Sequence, residues 1–306
     1  MRVFVTGASG WIGSAVVPEL VRAGHDVRGL ARSDASAAAV EAAGATAVRG
    51  DIGDLDVLRA AAADADAVVH LAFRHDVAFS GGYAEAIGSD LAAIEALGGA
   101  LPDGGALTIA GGILGLADGR PATERDVPLP GTPAAGRQAS ADLALGLAPR
   151  LRSSVVRLSP TVHGEGDGGF VPTLVGIARR RGVAGFPGDG SARWTAVHVQ
   201  DAARLFRLAI EVAPAGSVLH GADDEGVPVR EIAEVIGRHL DVPVRPVPDD
   251  EAGEHFGFLA MFLGLDSPAS SALTREVTGW APTGPGLLED LEKGHYFEAG
   301  SGSKYA

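Results

Sequence analysis

The 306-residue chain contains no cysteine, which excludes a disulfide framework, a thiolate metal site and a cysteine nucleophile. Positive charge is scarce as well: 25 Lys and Arg stand against 39 Asp and Glu, so the net charge is −14. This balance argues against nucleic acid or an anionic membrane surface as a partner. No apolar stretch reaches membrane-spanning length, and a strand signal beginning at Arg2 leaves no room for a signal peptide. We therefore expect a soluble, cytoplasmic protein that acts on a small-molecule substrate.

A glycine-rich segment directly follows the first strand signal. The apolar run at residues 3–5 leads into residues 6–13, which read Thr-Gly-Ala-Ser-Gly-Trp-Ile-Gly. Gly7 permits a sharp turn, Gly10 lets the backbone approach phosphates, and Gly13 lets the following helix pack closely on the sheet. The N-terminus of that helix presents free N–H groups to an anion. The pattern predicts a dinucleotide site; the alternative is a tight strand–helix turn without a ligand.

Strand and helix signals alternate through the first half of the chain. Serial βα units of this length favour an α/β fold with a doubly wound parallel sheet and helices on both faces. A turn-rich stretch, Gly111–Gly136, follows the fifth strand, and such a loop beside a sheet is often part of a substrate site. The predicted strands of this sheet are Arg2–Thr6, Asp26–Ala31, Ala45–Arg49, Ala67–Ala72, Ala106–Ala110 and Ser153–Leu158.

The later elements predict a smaller C-terminal cap that binds the substrate. We expect the dinucleotide-binding domain to span residues 1–160, with 194–222 returning to it. The cap would comprise residues 161–193 and 223–298. The small, polar residues 299–306 are expected to form a disordered tail.

Five segments are informative together: residues 6–13, Gly50-Asp51-Ile52, residues 68–72, residues 196–203 and residues 277–282. They resemble segments of the extended short-chain dehydrogenase/reductase family, which includes nucleotide-sugar epimerases and dehydratases. The family's counterparts are TGxxGxxG, an Asp and an aliphatic residue against the adenine, a strand beneath the cofactor, VHVxDxA and LGWxP. The resemblance covers residues 2 to about 297 and implies a Rossmann-type sheet with a substrate-binding cap. It also implies dimers formed through two helices, here Tyr83–Leu97 and Ala139–Leu147.

The end of the second strand indicates the type of cofactor. Members of the family that prefer NAD place an acid there to bind the ribose 2′-hydroxyl, whereas this chain has Arg32 and Ser33. A guanidinium and a hydroxyl suit a 2′-phosphate, so we predict NADP, with NAD as the alternative. The predicted cofactor-binding residues are Gly7, Ser9, Gly10, Trp11, Ile12, Gly13, Arg32, Ser33, Asp51, Ile52, Leu71, Ala72 and Phe73.

The residues with which this family transfers protons are missing. Its members use a Tyr-x-x-x-Lys pair and a nearby Ser or Thr, and no tyrosine of this chain stands four residues before a lysine. The stretch most similar to the family's YxxSK places Arg137 at the tyrosine position and Ala141 at the lysine position. The serine-rich run after the fifth strand is replaced by residues 110–112, Ala-Gly-Gly. Arg137 cannot give up a proton near neutral pH, but it can bind an anion or stabilise an oxyanion.

Two histidines are candidate replacements for the missing acid. His75 follows the fourth strand, at the edge where ligands bind in open α/β sheets, and it titrates near neutral pH. The alternative for His75 is an exposed charged loop. His163 follows the sixth strand and is expected to face the same cleft. His70 and His198 are expected to be structural, and no cluster of side chains has metal-ligand spacing.

These observations predict an NADP(H)-binding enzyme that acts on a small, apolar carbonyl or hydroxyl metabolite with a non-standard acid–base group. Two alternatives stay open: a non-redox cyclase, isomerase or lyase on the same fold, and an NADP-sensing protein without turnover. The apolar residues of the long loop and the cap favour an apolar cleft, unless they are simply core. They are Ile113, Leu114, Leu116, Phe170, Phe186, Phe256, Phe258 and Phe262.

Overall fold

The computed structural model describes residues 1–117 and 119–298, so the predicted disordered tail lies outside the described residues. The strands, in chain order, are β1 (Arg2–Thr6), β2 (Asp26–Ala31), β3 (Thr46–Arg49), β4 (Ala67–His70), β5 (Ala106–Gly112), β6 (Arg152–Leu158), β7 (Thr161–His163), β8 (Ala184–Pro187), β9 (Arg193–His198), β10 (Ser217–Gly221), β11 (Asp224–Pro228) and β12 (Val244–Val247).

The helices connect these strands and cover both faces of the main sheet. In chain order they are α1 (Gly13–Arg22), α2 (Asp34–Ala42), α3 (Leu55–Ala63), α4 (His75–Phe79), α5 (Tyr83–Ala100), α6 (Pro133–Gly136), α7 (Gln138–Gly146), α8 (Phe170–Arg181), α9 (Val199–Glu211), α10 (Val229–Leu240), α11 (Asp249–Phe256), α12 (Ala260–Leu263), α13 (Ala272–Thr278) and α14 (Leu287–Glu292). Two short 3₁₀ turns span Gly257–Leu259 and His295–Phe297.

The main sheet has seven strands in the order β10-β6-β5-β4-β1-β2-β3, all paired in parallel. Its central strands are apolar on both faces because helices cover each side, and Val3, Phe4 and Val5 are almost fully buried. One face packs on α1 and α9, and the other on α3, α5 and α7. The predicted α/β fold with a doubly wound parallel sheet is confirmed.

A second group of elements surrounds a separate apolar cluster. Strands β11, β9 and β7 form one small sheet, and β12 pairs with β8 in another. Helices α8, α10, α11 and α14 pack around them, with Trp194 fully buried at the centre. Strand β9 belongs to this group, whereas β10 joins the main sheet. The predicted domain boundaries stay a prediction, as does a dimer through α5 and α7.

The turn-rich stretch after β5 is tied down rather than open. Glu124 is 5% exposed, and its carboxylate accepts hydrogen bonds from the backbone N–H and the hydroxyl of Thr274 at 2.7 and 2.6 Å. Arg157 donates to the carbonyl oxygen of Asp126 at 2.8 Å. Most of the apolar residues expected to line a cleft are core instead, because they pack within these clusters. These are Ile113, Leu114, Leu116, Phe186, Phe256 and Phe262.

The segments at 196–203 and 277–282 meet in the structure. Asp201 is fully buried, and its carboxylate accepts hydrogen bonds from the backbone N–H groups of Thr283 and Gly284 at 3.0 and 2.7 Å. The indole N–H of Trp280 donates to the Asp201 carbonyl oxygen at 2.9 Å. The aspartate of the VHVxDxA segment therefore fastens the C-terminal part of the chain to α9.

Candidate functional site

A cleft of about 510 Å³ opens at the carboxyl ends of β1, β2 and β4, where ligands bind in open α/β sheets. It contains every predicted cofactor residue except Ser33. Its lining comprises Gly7, Ser9, Gly10, Trp11, Ile12, Gly13, Leu30, Arg32, Gly50, Asp51, Ile52, Leu71, Ala72, Phe73, Arg74, His75, Asp76, Gly168 and Gly169.

The glycine loop forms a cradle that side chains would fill. Gly7 has a φ of +66°, and a Cβ there would lie 2.8 Å from the backbone nitrogen of Ala72. A Cβ on Gly13 would lie 2.1 Å from the Gly7 carbonyl oxygen. Helix α1 has no side-chain cap and no acid in its first turn, so no carboxylate of that turn neutralises the positive end of the helix dipole.

The other end of the cleft carries the residues expected to distinguish the cofactors. Arg32 is exposed and lines the cleft. Ser33 is exposed but does not line the cleft, and its hydroxyl caps α2 by accepting from the Ser36 backbone N–H at 3.1 Å, so its role at the cofactor stays a prediction. Asp51 lines the cleft, and its carboxylate also accepts from the Gly53 N–H at 3.1 Å.

A smaller chamber of about 200 Å³ adjoins the cleft and has an apolar wall. The indole N–H of Trp11 donates to the Val162 carbonyl oxygen at 2.7 Å, which fixes the glycine loop against β7. Phe170 faces the chamber, and its ring packs 5.3 Å from that of Phe262 and 5.6 Å from that of Trp194. The chamber is lined by Trp11, Ile12, His75, Pro160, Thr161, Val162, Asp167, Gly169 and Phe170.

His75 stands where the cleft and the chamber meet. It is the first residue of α4, and its ring packs edge-on against Phe73 with centroids 5.0 Å apart. Burial lowers the pKa of His75, and the positive charge of Arg137 lowers it further. The protonated imidazole is therefore a stronger acid than that of an ordinary histidine.

Arg137 reaches the same aromatic ring from the start of α7. Its guanidinium carbon lies 4.2 Å from the Phe73 ring centroid, and its Nη2 donates to Asp90 at 3.1 Å. The ring of Tyr83 lies against Gly136, the residue before Arg137. The structure thus brings two of the three predicted catalytic residues, His75 and Arg137, together around Phe73.

Asp90, which the sequence analysis did not single out, contacts Arg137. It lies on α5, is fully buried, and accepts hydrogen bonds from His70, Arg137 and Ser140. Burial alone would raise the pKa of Asp90, but the His70 hydrogen bond and the Arg137 charge outweigh it and hold the pKa at about 2. The available signal was an aspartate on the apolar face formed by Ala86, Ala93, Ile94 and Leu97.

His163, the third predicted catalytic residue, is misplaced by the sequence reasoning. It is fully buried within the described structure and lines neither the cleft nor the chamber. Its Nδ1 lies 3.0 Å from the carboxylate of Asp290, and its ring packs against that of His198 at 5.5 Å. Side chains on a three-residue strand alternate between faces, and that of His163 points into the core where α14 supplies a partner. His163 therefore has no access to a substrate in this structure.

A hydrogen-bonded bridge ties the C-terminal 3₁₀ turn to the loop that closes the cleft. The Tyr296 hydroxyl donates to Asp167 at 3.1 Å and accepts from the Gly164 N–H at 3.0 Å. Asp167 also accepts from the Gly169 N–H at 2.6 Å, so Tyr296 supports the wall formed by Gly168 and Gly169. Burial raises the pKa of Asp167 to about 6.

Among residues 1–117 and 119–298, no group of three or more His, Asp or Glu side chains is placed to hold a metal ion. No helix in those ranges is both long and apolar enough to cross a membrane.

Comparison with known proteins places this geometry in context. The model of the NAD dependent epimerase/dehydratase family matches residues 3–96. An uncharacterized protein of Schizosaccharomyces pombe is 45% identical over 301 residues, covering 97% of this chain and 100% of the relative. The dTDP-glucose 4,6-dehydratase of Streptomyces venezuelae, solved with NAD and TYD bound, has a TM-score of 0.77 at 22% identity and covers 96% of each chain, which shows the shared fold.

Two relatives are named as reductases. The 2-alkyl-3-oxoalkanoate reductase of Stenotrophomonas maltophilia is 30% identical over 260 residues, covering 79% of this chain and 77% of the relative. The 4-hydroxy-2-methyl-3-oxo-4-farnesyl-3,4-dihydroquinoline-1-oxide ketoreductase of Stigmatella aurantiaca is 29% identical over 273 residues, covering 84% and 80%. With its glycine cradle, parallel sheet and C-terminal cap elements, the chain belongs to the NAD-dependent epimerase/dehydratase family, a branch of the extended short-chain dehydrogenases/reductases.

Proposed function

We propose that the protein is an NADP(H)-dependent reductase of a small ketone with an apolar substituent. The observation that carries the proposal is the continuity of the cleft. It runs from Arg32 past the glycine loop to Phe73 and His75, and Arg137 packs against the ring of Phe73. A dinucleotide lying along this path would end next to two polar side chains and an apolar chamber.

The residues of the cleft fit a dinucleotide. The space at Gly10 and Gly13 and the N-terminus of α1 would hold the pyrophosphate, since backbone N–H groups and a helix dipole favour an anion there. Arg32 would pair with a 2′-phosphate through its planar fork of donors. When bound, the cofactor supplies a hydride to a carbonyl carbon.

The protein's own task is to stabilise the oxygen of that carbonyl. Hydride addition leaves negative charge on the oxygen, and fixed hydrogen-bond donors stabilise such charge strongly. Arg137 would supply those donors from its position over Phe73, and His75 would deliver the proton from the rim of the chamber. This division of work needs neither a tyrosine nor a lysine.

The apolar chamber supports a substrate with a hydrocarbon substituent. Trp11, Val162 and Phe170 are among the residues that line it, and the ring of Phe170 packs against those of Trp194 and Phe262. Two relatives carry names of reductases for ketones with alkyl or farnesyl groups. We therefore expect a 3-oxo compound with an apolar chain at the neighbouring carbon.

The activity test follows the reduced-nicotinamide absorbance of the purified protein with NADPH and a 2-alkyl-3-oxoalkanoate. Oxidation of NADPH with formation of the hydroxy product supports the proposal. Conversion of the ketone without any change in nicotinamide would make the protein a non-redox enzyme. Cofactor binding without conversion of any ketone in a panel would make it an NADP-sensing protein.

Cofactor preference is tested by Arg32→Asp. We expect this variant to bind NADPH about tenfold more weakly while NADH affinity changes little, because only NADPH carries the 2′-phosphate. Arg59→Asp, on the exposed side of α3, is the matched control for the change in net charge. Equal losses for both cofactors, or none, would overturn the assignment of NADP.

A further inference from the structure

The carboxylate of Asp90 collects three hydrogen bonds from three different elements. His70 Nε2 lies 3.2 Å from Oδ1, while Ser140 Oγ and Arg137 Nη2 donate to Oδ2 at 2.6 and 3.1 Å. Asp90 is 0% exposed. A buried carboxylate is costly unless hydrogen-bond partners replace the water that it has lost. The three partners do this for Asp90, and they also fix the orientation of its carboxylate.

On one side, this carboxylate is linked to the floor of the cofactor cleft. The backbone N–H of Ala72 donates to Thr6 Oγ1 at 3.2 Å, and Thr6 Oγ1 lies 2.7 Å from His70 Nδ1. With a neutral imidazole, the Thr6 hydroxyl donates to Nδ1, and the proton on Nε2 of His70 donates to Asp90. Because Ala72 lines the cleft, this series of hydrogen bonds connects Asp90 to the strand ends at the floor of the cleft.

On its other side, the Asp90 carboxylate accepts a single hydrogen bond from Arg137, donated by Nη2. The guanidinium is stacked on Phe73 with its side chain 20% exposed, and the Nε of Arg137 is buried without a hydrogen-bond partner among the described residues. A guanidinium has five N–H donors, so the bond to Asp90 uses only part of the fork. The remaining donors stay beside a ring that lines the cleft.

We propose that Asp90 is a positioning residue, which fixes the Arg137 guanidinium at the cleft so that its remaining N–H groups meet the substrate oxygen. The inference rests on the proposed function, since that function assigns Arg137 to the oxygen. An arginine without such an anchor would sample many rotamers, and its donors would have to be reoriented in every turnover. The anchor gives a fixed donor at a place where the family's tyrosine is missing.

The first test is Asp90→Asn, assayed for turnover and for NADPH affinity. We expect kcat to fall about 100-fold, while the Kd of NADPH changes less than about threefold, because a displaced donor affects the reaction and not the phosphates. Asp201→Asn is the matched control, because Asp201 is also a fully buried helical aspartate that accepts two or more hydrogen bonds. That control should lose stability and keep its kcat per folded molecule. A wild-type kcat in Asp90→Asn would overturn the proposal.

A second test needs no substrate, so it separates this inference from the proposed function. The imidazole of His75 is titrated by NMR in the wild type, Arg137→Met and Asp90→Asn. Arg137 lowers the pKa of His75 whereas Asp90 raises it. If Asp90 anchors Arg137, its loss releases the guanidinium and the His75 pKa rises, as in Arg137→Met. A fall of the His75 pKa in Asp90→Asn would show that Arg137 stays in place unaided and would overturn the proposal.

The double variant Asp90→Asn/Arg137→Met covers the case in which Asp90→Asn does not fold. It removes both charges together and leaves no unpaired buried ion. If Asp90 acts through Arg137, kcat of the double variant equals that of Arg137→Met. A further tenfold loss would mean that Asp90 acts by another route, which contradicts the proposal. Absence of ketone reduction by the wild type would refute the proposed function and leave the NMR result standing.

Discussion

Two buried histidine–aspartate pairs can be compared within this molecule. In His70–Asp90 the nitrogen and oxygen lie 3.2 Å apart, and in His163–Asp290 they lie 3.0 Å apart; all four side chains are at most 3% exposed. The first, here called the open pair, continues through Arg137 to the ring of Phe73 in the cleft. The second, here called the sealed pair, lies in the core, and neither of its two residues lines the cleft or the chamber.

The two pairs have the same residue types and similar distances, so the pair by itself does not indicate function. What distinguishes them is whether the aspartate has a further partner that contacts a residue lining the cleft. Asp290 lies near Lys293 and His295 of its own C-terminal segment, and burial, which raises its pKa, is outweighed by the His163 hydrogen bond, which lowers it. These contacts hold α14 against β7 in the core. The open pair has the same two residue types, but its aspartate also binds Arg137, which packs on the Phe73 ring that lines the cleft.

The largest effect is expected for Arg137→Met, which removes the guanidinium that Asp90 binds. Loss of the donor for the developing oxyanion should lower kcat about 10²- to 10³-fold, while the Kd of NADPH stays within about threefold of the wild type. Steady-state kinetics and cofactor titration measure the two effects. Arg59→Met, an exposed arginine on α3, is the control and should be unchanged. A loss of less than threefold would remove Arg137, and with it the open pair, from the reaction.

The sealed pair should respond in the opposite way to Asp290→Ala. The change leaves the Nδ1 proton of His163 buried without an acceptor, which lowers the free energy of unfolding by about 2–3 kcal/mol. Turnover per folded molecule should stay within about twofold of the wild type. Chemical denaturation and an activity assay corrected for the folded fraction provide the two measurements.

Lys293→Ala is the control for that variant. Its amine lies 3.6 Å from Asp290 and its side chain is 49% exposed, so its loss should change stability by less than about 1 kcal/mol. Stable Asp290→Ala protein with reduced kcat would mean that the sealed pair takes part in the reaction, and the contrast with the open pair would fail.

Much of the fold could be predicted because it depends on local patterns. Apolar strands followed by amphipathic helices determine a parallel sheet, and the glycines at 7, 10 and 13 are required by contacts within one turn. The short helix α4 and the small strands β7, β8, β11 and β12 were not predicted, whereas a strand was expected at 195–199, close to β9. Their form depends on packing against distant segments, such as the pairing of β12 with β8.

The candidate site was predictable only in part, because some of its contacts depend on segments that are distant in the sequence. His75 and Arg137 follow strands or helices whose ends can be placed from sequence, so their meeting at Phe73 follows from topology. Asp90 comes from the middle of α5, where its role depends on residues 20 and 50 positions away. The face on which the His163 side chain lies depends on α14, more than a hundred residues further along the chain.

The smallest predicted effect concerns the pH dependence of stability at Asp167, which adjoins the sealed pair. Burial raises the pKa of this carboxyl to about 6 from its ordinary value of 3.8. Its contribution to stability is therefore complete below the ordinary value and is lost as the pH rises through about 6. Relative to Asp167→Asn, the free energy of unfolding should fall by about 2 kcal/mol between about pH 4.5 and 7.5.

Denaturation curves of the wild type and Asp167→Asn at several pH values measure this difference, and the exposed neighbour Glu165→Gln should show no such slope. Turnover supplies the decisive comparison, because Asp167 also faces the chamber beside His75. If Asp167 only supports the loop through Tyr296, the pH profile of kcat keeps its inflection in Asp167→Asn. If the inflection near pH 6 disappears in Asp167→Asn, the proton of Asp167 takes part in the reaction. A residue that adjoins the sealed pair would then be involved in catalysis.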